Sequence, residues 1–206
     1  RISPIPSHSC LMDSVVDFNA VASVICSEVA SVEAIDLHTH LLPPNHGALC
    51  LWGIDELLTY HYLVAEYFMS CPAEISPGKF YSLDKQAQAS LIWNALFIDR
   101  SPISEACRGV LTTLTALGLK EYVQSRDLEA IRKFYASYRN RGLEGSEEFS
   151  ELIYKTSGVR YAIMTNIPFD VNEAKFWKPN RATYSKRYRS AVRVDPLLSG
   201  DSKTIE

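Results

Sequence analysis

What the sequence lacks narrows its class before any motif does. No run approaches the 18 or more continuous apolar residues of a membrane-spanning helix. No Cys-x-x-Cys pair occurs, and the five cysteines (Cys10, Cys26, Cys50, Cys71 and Cys107) are odd in number and far apart. Neither a disulfide framework nor a thiolate zinc site is indicated, so free thiols in a reducing, cytoplasmic setting are expected. Basic charge is not in excess either: 21 Lys and Arg against 24 Asp and Glu leave a net charge of −3. That balance offers no footprint for nucleic acid and no polybasic patch for a membrane surface. Residues 11–32 are apolar, but they hold Asp13, Asp17, Asn19 and Glu28 and lack a basic leader. They read as an amphipathic helix rather than a signal peptide. Repeats and low-complexity tracts are absent.

What is present fits a globular domain. The chain has 206 residues, 47% of them apolar and 22% charged, which predicts one domain over residues 1–206 with a substantial core. It starts at Arg1 rather than Met and finishes in the polar run 199–206, so both ends read as cut. Apolar spacing predicts helices over about 11–31, 54–69, 83–97, 104–117 and 128–141. A further helix is expected from Ser146, a candidate N-cap, to about Thr156, with Gly158 as its stop. Residues 71–78 read as punctuation. Strands are expected at 34–40 and 159–165 and, after a short helix over 171–177 and a basic loop over 178–189, at 191–196. The order predicts an α/β fold.

The first strand carries the most chemistry. In Ala34-Ile35-Asp36-Leu37-His38-Thr39-His40, alternation puts Asp36, His38 and His40 on one face and Ile35, Leu37 and Leu41 on the other. Imidazoles at i and i+2 stand about 7 Å apart at the backbone and can converge on one metal ion at roughly 2.1 Å. The alternative, one histidine at a loop and the other hydrogen-bonded in the core, stays open at this point. Every readable strand ends in polar residues followed by proline: His38 and His40 before Pro43, Thr165 and Asn166 before Pro168, Arg193 and Asp195 before Pro196. That is the layout of a barrel's C-terminal rim, where α/β barrels keep their active sites. His61 and Tyr62, in Thr59-Tyr60-His61-Tyr62, follow close enough to overhang the same rim.

Together these residues resemble a known family. The Asp-x-His-x-His strand end is similar to the first strand of the amidohydrolase superfamily, metal-dependent (β/α)8 TIM-type barrels. The pattern beyond it resembles uronate (glucuronate) isomerase. His61-Tyr62 match a His-Tyr pair, residues 83–156 match a large helical insertion, and Tyr161 to Asp170 resemble a Val-x-x-Thr-Asp-Asp-Pro-x-Asp strand end. Arg193-Val194-Asp195 resemble Arg-Pro-Asp. The resemblance runs over residues 33–198 in order and spacing.

The resemblance implies roles. His38 and His40 would ligate one divalent metal, zinc being expected. His61 and Tyr62 would contact a small sugar acid and act in catalysis, with Tyr62 as proton carrier. Arg193 would bind the substrate carboxylate, a task suited to a planar, always-charged fork. The implied reaction interconverts an aldose uronic acid and its keto isomer. The implied fold is a partial barrel, the first strands only, with the helical insertion after the first strand.

Departures bear on this. Asn166-Ile167 stand where the family has Asp-Asp, and Val194 where it has Pro. A catalytic zinc normally has three protein ligands, and the family takes its others from later strands. The chain is therefore expected to be the N-terminal portion of a longer enzyme, inactive alone, with homo-oligomerisation left to the full-length protein. A metal-dependent hydrolase of the same superfamily, and a non-catalytic α/β fragment with structural histidines, are the alternatives. Cys50 and Cys107 have no motif that would supply a base, and the Asp99–Arg108 junction is expected to be an ion-paired turn.

Overall fold

The computed structural model describes residues 17–71, 75–165, 167, 170–177, 186–191, 194–195 and 198. Residues 1–33 and 34–206 form two compact units, taken in turn.

In the first unit, α1 spans Phe18–Ser31. Asp17 caps it by accepting hydrogen bonds from the backbone nitrogens of Asn19 and Ala20, at 2.9 and 3.2 Å, which satisfies two of the donors a helix start leaves free. Helical spacing sets Phe18, Val21, Ile25 and Val29 on one face.

In the second unit, β1 (Ala34–Thr39) pairs in parallel with β2 (Val159–Met164), which pairs in parallel with β3 (Tyr188–Ser190). The chain is thus α/β, with a three-stranded parallel sheet and many helices. Between β1 and β2 it is helical: a 3₁₀ segment at Pro44–Leu49, α2 (Ile54–Leu58), α3 (His61–Ser70), α4 (Pro77–Tyr81), α5 (Lys85–Trp93) with a π turn at Asn94–Ile98, α6 (Glu105–Ala116), α7 (Lys120–Gln124), α8 (Leu128–Arg139) and α9 (Gly142–Ser157). The crossover from β2 to β3 contains α10 (Val171–Trp177). No helix among the described residues is long and apolar enough to cross a membrane.

Local chemistry explains most boundaries. Ser76, Asp84, Ser104 and Asp127 each cap a helix by accepting from the backbone nitrogen three residues on. Gly158, at φ +66°, ends α9 in a left-handed conformation that glycine takes without strain. Wholly buried Leu58, Tyr67, Phe80, Ile92, Trp93, Leu114 and Ile131 form the core among the helices. A smaller cluster of Tyr154, Ala162, Met164 and Tyr188 joins α9 to the sheet. Arg132 ties α2, α5 and α8 together: its Nε and one terminal nitrogen donate to Asp55 Oδ1 at 2.9 and 2.8 Å, and that terminal nitrogen also donates to the Gln86 carbonyl and the Ser90 hydroxyl.

Five sequence expectations need correction. The helix expected over 54–69 breaks at Thr59–Tyr60: the Thr59 backbone nitrogen and hydroxyl both donate to the Asp55 carbonyl, at 3.0 and 2.6 Å, at the end of α2, and Tyr60 is extended. The helix expected from Ser146 starts at Gly142, and Ser146 donates back to the Gly142 carbonyl instead of capping. Pro77 and Gly78, expected as punctuation, open α4, and α7 is an additional helix. Among the described residues the last strand is Tyr188–Ser190, which begins inside the loop expected over 178–189. Of the strand expected at 191–196, residues 192, 193 and 196 lie outside the described residues. Tyr188 is buried, with its hydroxyl 2.9 Å from that of Ser150. Finally, Arg100 donates to the carbonyls of Ser70 and Ala95 and to Cys71 Sγ, and among the described residues it forms no ion pair at the Asp99–Arg108 junction.

Candidate functional site

Parallel strands put all their C-terminal ends on one edge of a sheet. Thr39 is level with Met164, and Met164 with Ser190, so the residues that follow (His40, Thr165 and Ala191) begin that edge together.

His38 and His40 meet there. Their Nε2 atoms are 3.3 Å apart and their ring centroids 5.1 Å, nearly edge to face; both side chains are exposed. Two nitrogens held by one tetrahedral zinc at about 2.0–2.1 Å would be about 3.4 Å apart. The pair therefore fits two positions of such a site. Among the described residues no group of three His, Cys, Asp or Glu side chains comes together to hold a metal. Asp36 turns its carboxylate to its own chain, accepting from the His38 backbone nitrogen at 2.9 Å. From β2, the Thr165 backbone nitrogen and hydroxyl both donate to the Thr39 carbonyl, at 2.9 and 3.0 Å. The same hydroxyl oxygen lies 3.2 Å from His40 Nδ1.

The break after α2 places the second constellation. Tyr60 is extended, at φ −66° and ψ 144°, and α3 begins at His61, so His61 and Tyr62 project from its first turn. Both are exposed, Tyr62 by 64%. Tyr60 links them to the histidine pair: its ring centroid is 6.2 Å from His40, 4.3 Å from His61 and 5.6 Å from Tyr62. The fold thus brings His38, His40, His61 and Tyr62 into one neighbourhood. Sequence reasoning missed Tyr60, whose spacing looks like that of a core residue in a continuous helix; the threonine before it was the available sign of a break. Arg193 lies outside the described residues, as do Asn166 and Pro168.

Other polar groups are accounted for differently. His46 is fully buried between Phe176, stacked at 5.4 Å, and Trp177, edge-on at 4.9 Å. Burial holds its imidazole below the ordinary value, against the opposing pull of Glu173. The Cys50 thiol donates to the Pro43 carbonyl at 3.0 Å, and burial pushes it up to about 11. Cys107 is likewise raised by burial, beside Ser104 and Glu66. Neither thiol is set up as a nucleophile. A cavity of about 720 Å³ lies among the 3₁₀ segment, α2, α8 and α9, with Trp52, Glu56, Tyr135, Arg139 and Phe149 in its walls. His38, His40, His61 and Tyr62 do not line it.

Among solved structures, the chain is similar to a uronate isomerase from Bacillus halodurans. Identity is 42% and the TM-score 0.80, over 91% of this chain and 42% of that one. The chain spans less than half the length of that protein. No family model matches the sequence, and no curated protein matches it.

Proposed function

From a chain that is uronate-isomerase-like over most of its length, we propose that residues 34–206 supply the first strands of a (β/α)8 barrel that interconverts an aldose uronic acid and its keto isomer. The observation that carries this reading is the likeness at 42% identity to a uronate isomerase. The convergence of His38 and His40 at a parallel strand end supports it. In this reading residues 83–156 belong to a helical insertion after the first strand. The edges of β1 and β3, unpaired among the described residues, would pair with further strands, which also relieves the edge problem of an open sheet.

Aldose–ketose exchange needs a proton moved between neighbouring carbons or oxygens and a place for enediolate-like charge to accumulate. His38 and His40 would hold a divalent metal, zinc by donor type, which when bound supplies a Lewis acid for that charge. Tyr62 carries an exposed phenol beside His61, with ring centroids 4.1 Å apart. In this role Tyr62 relays the proton, and His61 orients the sugar acid with it. Arg193 pairs with the substrate carboxylate. The sugar acid is the partner this reading requires, in the cytoplasm.

The test is an assay of a protein that carries this stretch in a complete barrel, with glucuronate and galacturonate as substrates. Isomerisation of either is expected, with Arg193→Ala raising KM and Tyr62→Phe lowering kcat. Hydrolysis of an amide or ester by the same protein, without isomerisation, would replace this reading by the hydrolase.

A further inference from the structure

Thr165 has one hydroxyl proton and two neighbours, and the two are not equivalent. The Thr39 carbonyl, 3.0 Å away, can only accept, so the proton goes there. Toward His40 Nδ1, at 3.2 Å, the same oxygen is left with lone pairs and acts as the acceptor. Nδ1 then carries the ring proton, and the lone pair of a neutral His40 sits on Nε2. That is the atom 3.3 Å from His38 Nε2.

We infer that Thr165 is a positioning residue: clamped to the Thr39 carbonyl through both its backbone nitrogen and its hydroxyl, it fixes His40 in the Nδ1–H tautomer and aims the Nε2 lone pair at the point His38 also faces. The inference rests on the proposed metal site for its purpose, but its geometry stands without a metal. A metal-bound imidazole is commonly fixed by a hydrogen bond at its other nitrogen, from carboxylate, carbonyl or water. Here a hydroxyl takes that part, and only because a second acceptor consumes its proton. A threonine whose hydroxyl lacked the Thr39 carbonyl would be free to donate to Nδ1 and select the opposite tautomer. The parallel register of β1 and β2, which sets Thr39 level with Met164, is what makes the clamp.

Long-range ¹H–¹⁵N correlation spectra of the 206-residue chain at about pH 8, where a histidine is largely neutral, read the tautomer directly. His40 is expected to show a protonated, pyrrole-type Nδ1 and a pyridine-type Nε2. Thr165→Val should lose that pattern and Thr165→Ser should keep it. A pyridine-type Nδ1 in the native chain, or an unchanged spectrum in Thr165→Val, would overturn the inference. Zinc titration of the same samples, followed at the histidine resonances, adds an independent arm. Thr165→Val should bind about 10–100-fold more weakly than the native chain, with Thr165→Ser close to native, and equal affinity in Thr165→Val would count against the clamp. If zinc leaves His38 and His40 unmoved in the native chain, two histidines are too few ligands to hold it alone, and the tautomer spectra decide the role of Thr165.

Discussion

The ring of Tyr60 stands 6.2 Å from that of His40, joining the end of a strand to the start of α3. The same phenol ring meets His61 at 4.3 Å. Tyr60 is therefore the piece that sets the His-Tyr pair against the His-x-His pair. Replacing it with leucine should leave the far-ultraviolet circular dichroism unchanged and cost about 0.5–1.5 kcal/mol from the lost ring contacts. It should also shift the His40 ring protons through the loss of the neighbouring ring current. Unmoved His40 resonances would show that the two constellations are independent.

His46 should make this fold sensitive to acid. Its imidazole is buried, with no hydrogen-bond partner for Nε2 among the described residues, and burial lowers its pKa from the ordinary 6.5. The unfolded chain then binds more protons than the folded one as pH falls below about 6.5, so stability falls with pH in that window, by up to about 1.4 kcal/mol per unit. Glu173, which faces His46 and raises its pKa, reduces the effect without reversing it. Denaturant titrations between pH 7 and 5 should show a shallower loss in His46→Phe than in the native chain. Equal slopes would contradict this account of the buried imidazole.

Gly145 of α9 lies against the last turn of α8. A Cβ there would lie 2.0 Å from the Tyr138 carbonyl oxygen and 2.9 Å from the Arg141 Cβ. The obstacle is backbone, so the helices must part. Gly145→Ala should lower stability by about 1–3 kcal/mol, as overpacking does. Gly109 in α6 meets nothing within 4 Å, and Gly109→Ala should raise stability by about 0.5–1 kcal/mol through helix propensity. Thermal unfolding of the two variants checks both signs.

The sequence made the frame legible where local chemistry acts alone. The strand at Ala34–Thr39, the Ser104 cap of α6 and the Gly158 stop of α9 follow from alternation, capping and a left-handed turn, all readable from a few neighbouring residues. Expectation failed where distant residues decide. Tyr188–Ser190 becomes a strand because β2 offers it a parallel edge and Ser150 a hydrogen bond, neither visible in a tyrosine-rich basic segment. The continuous apolar spacing of residues 54–69 concealed the break at Thr59 that brings Tyr60 toward His40. The link from Thr165 to His40 crosses 125 positions of sequence, and only strand register reveals it.

His38 and His40 are proposed as half of a metal site in a uronate-isomerase-like barrel. Metal analysis of a protein carrying this stretch in a complete barrel, native and as His38→Ala/His40→Ala, tests it most directly. About one divalent metal per native chain is expected, zinc by donor type, with its loss in the double variant. Stoichiometric metal retained in the double variant would contradict it.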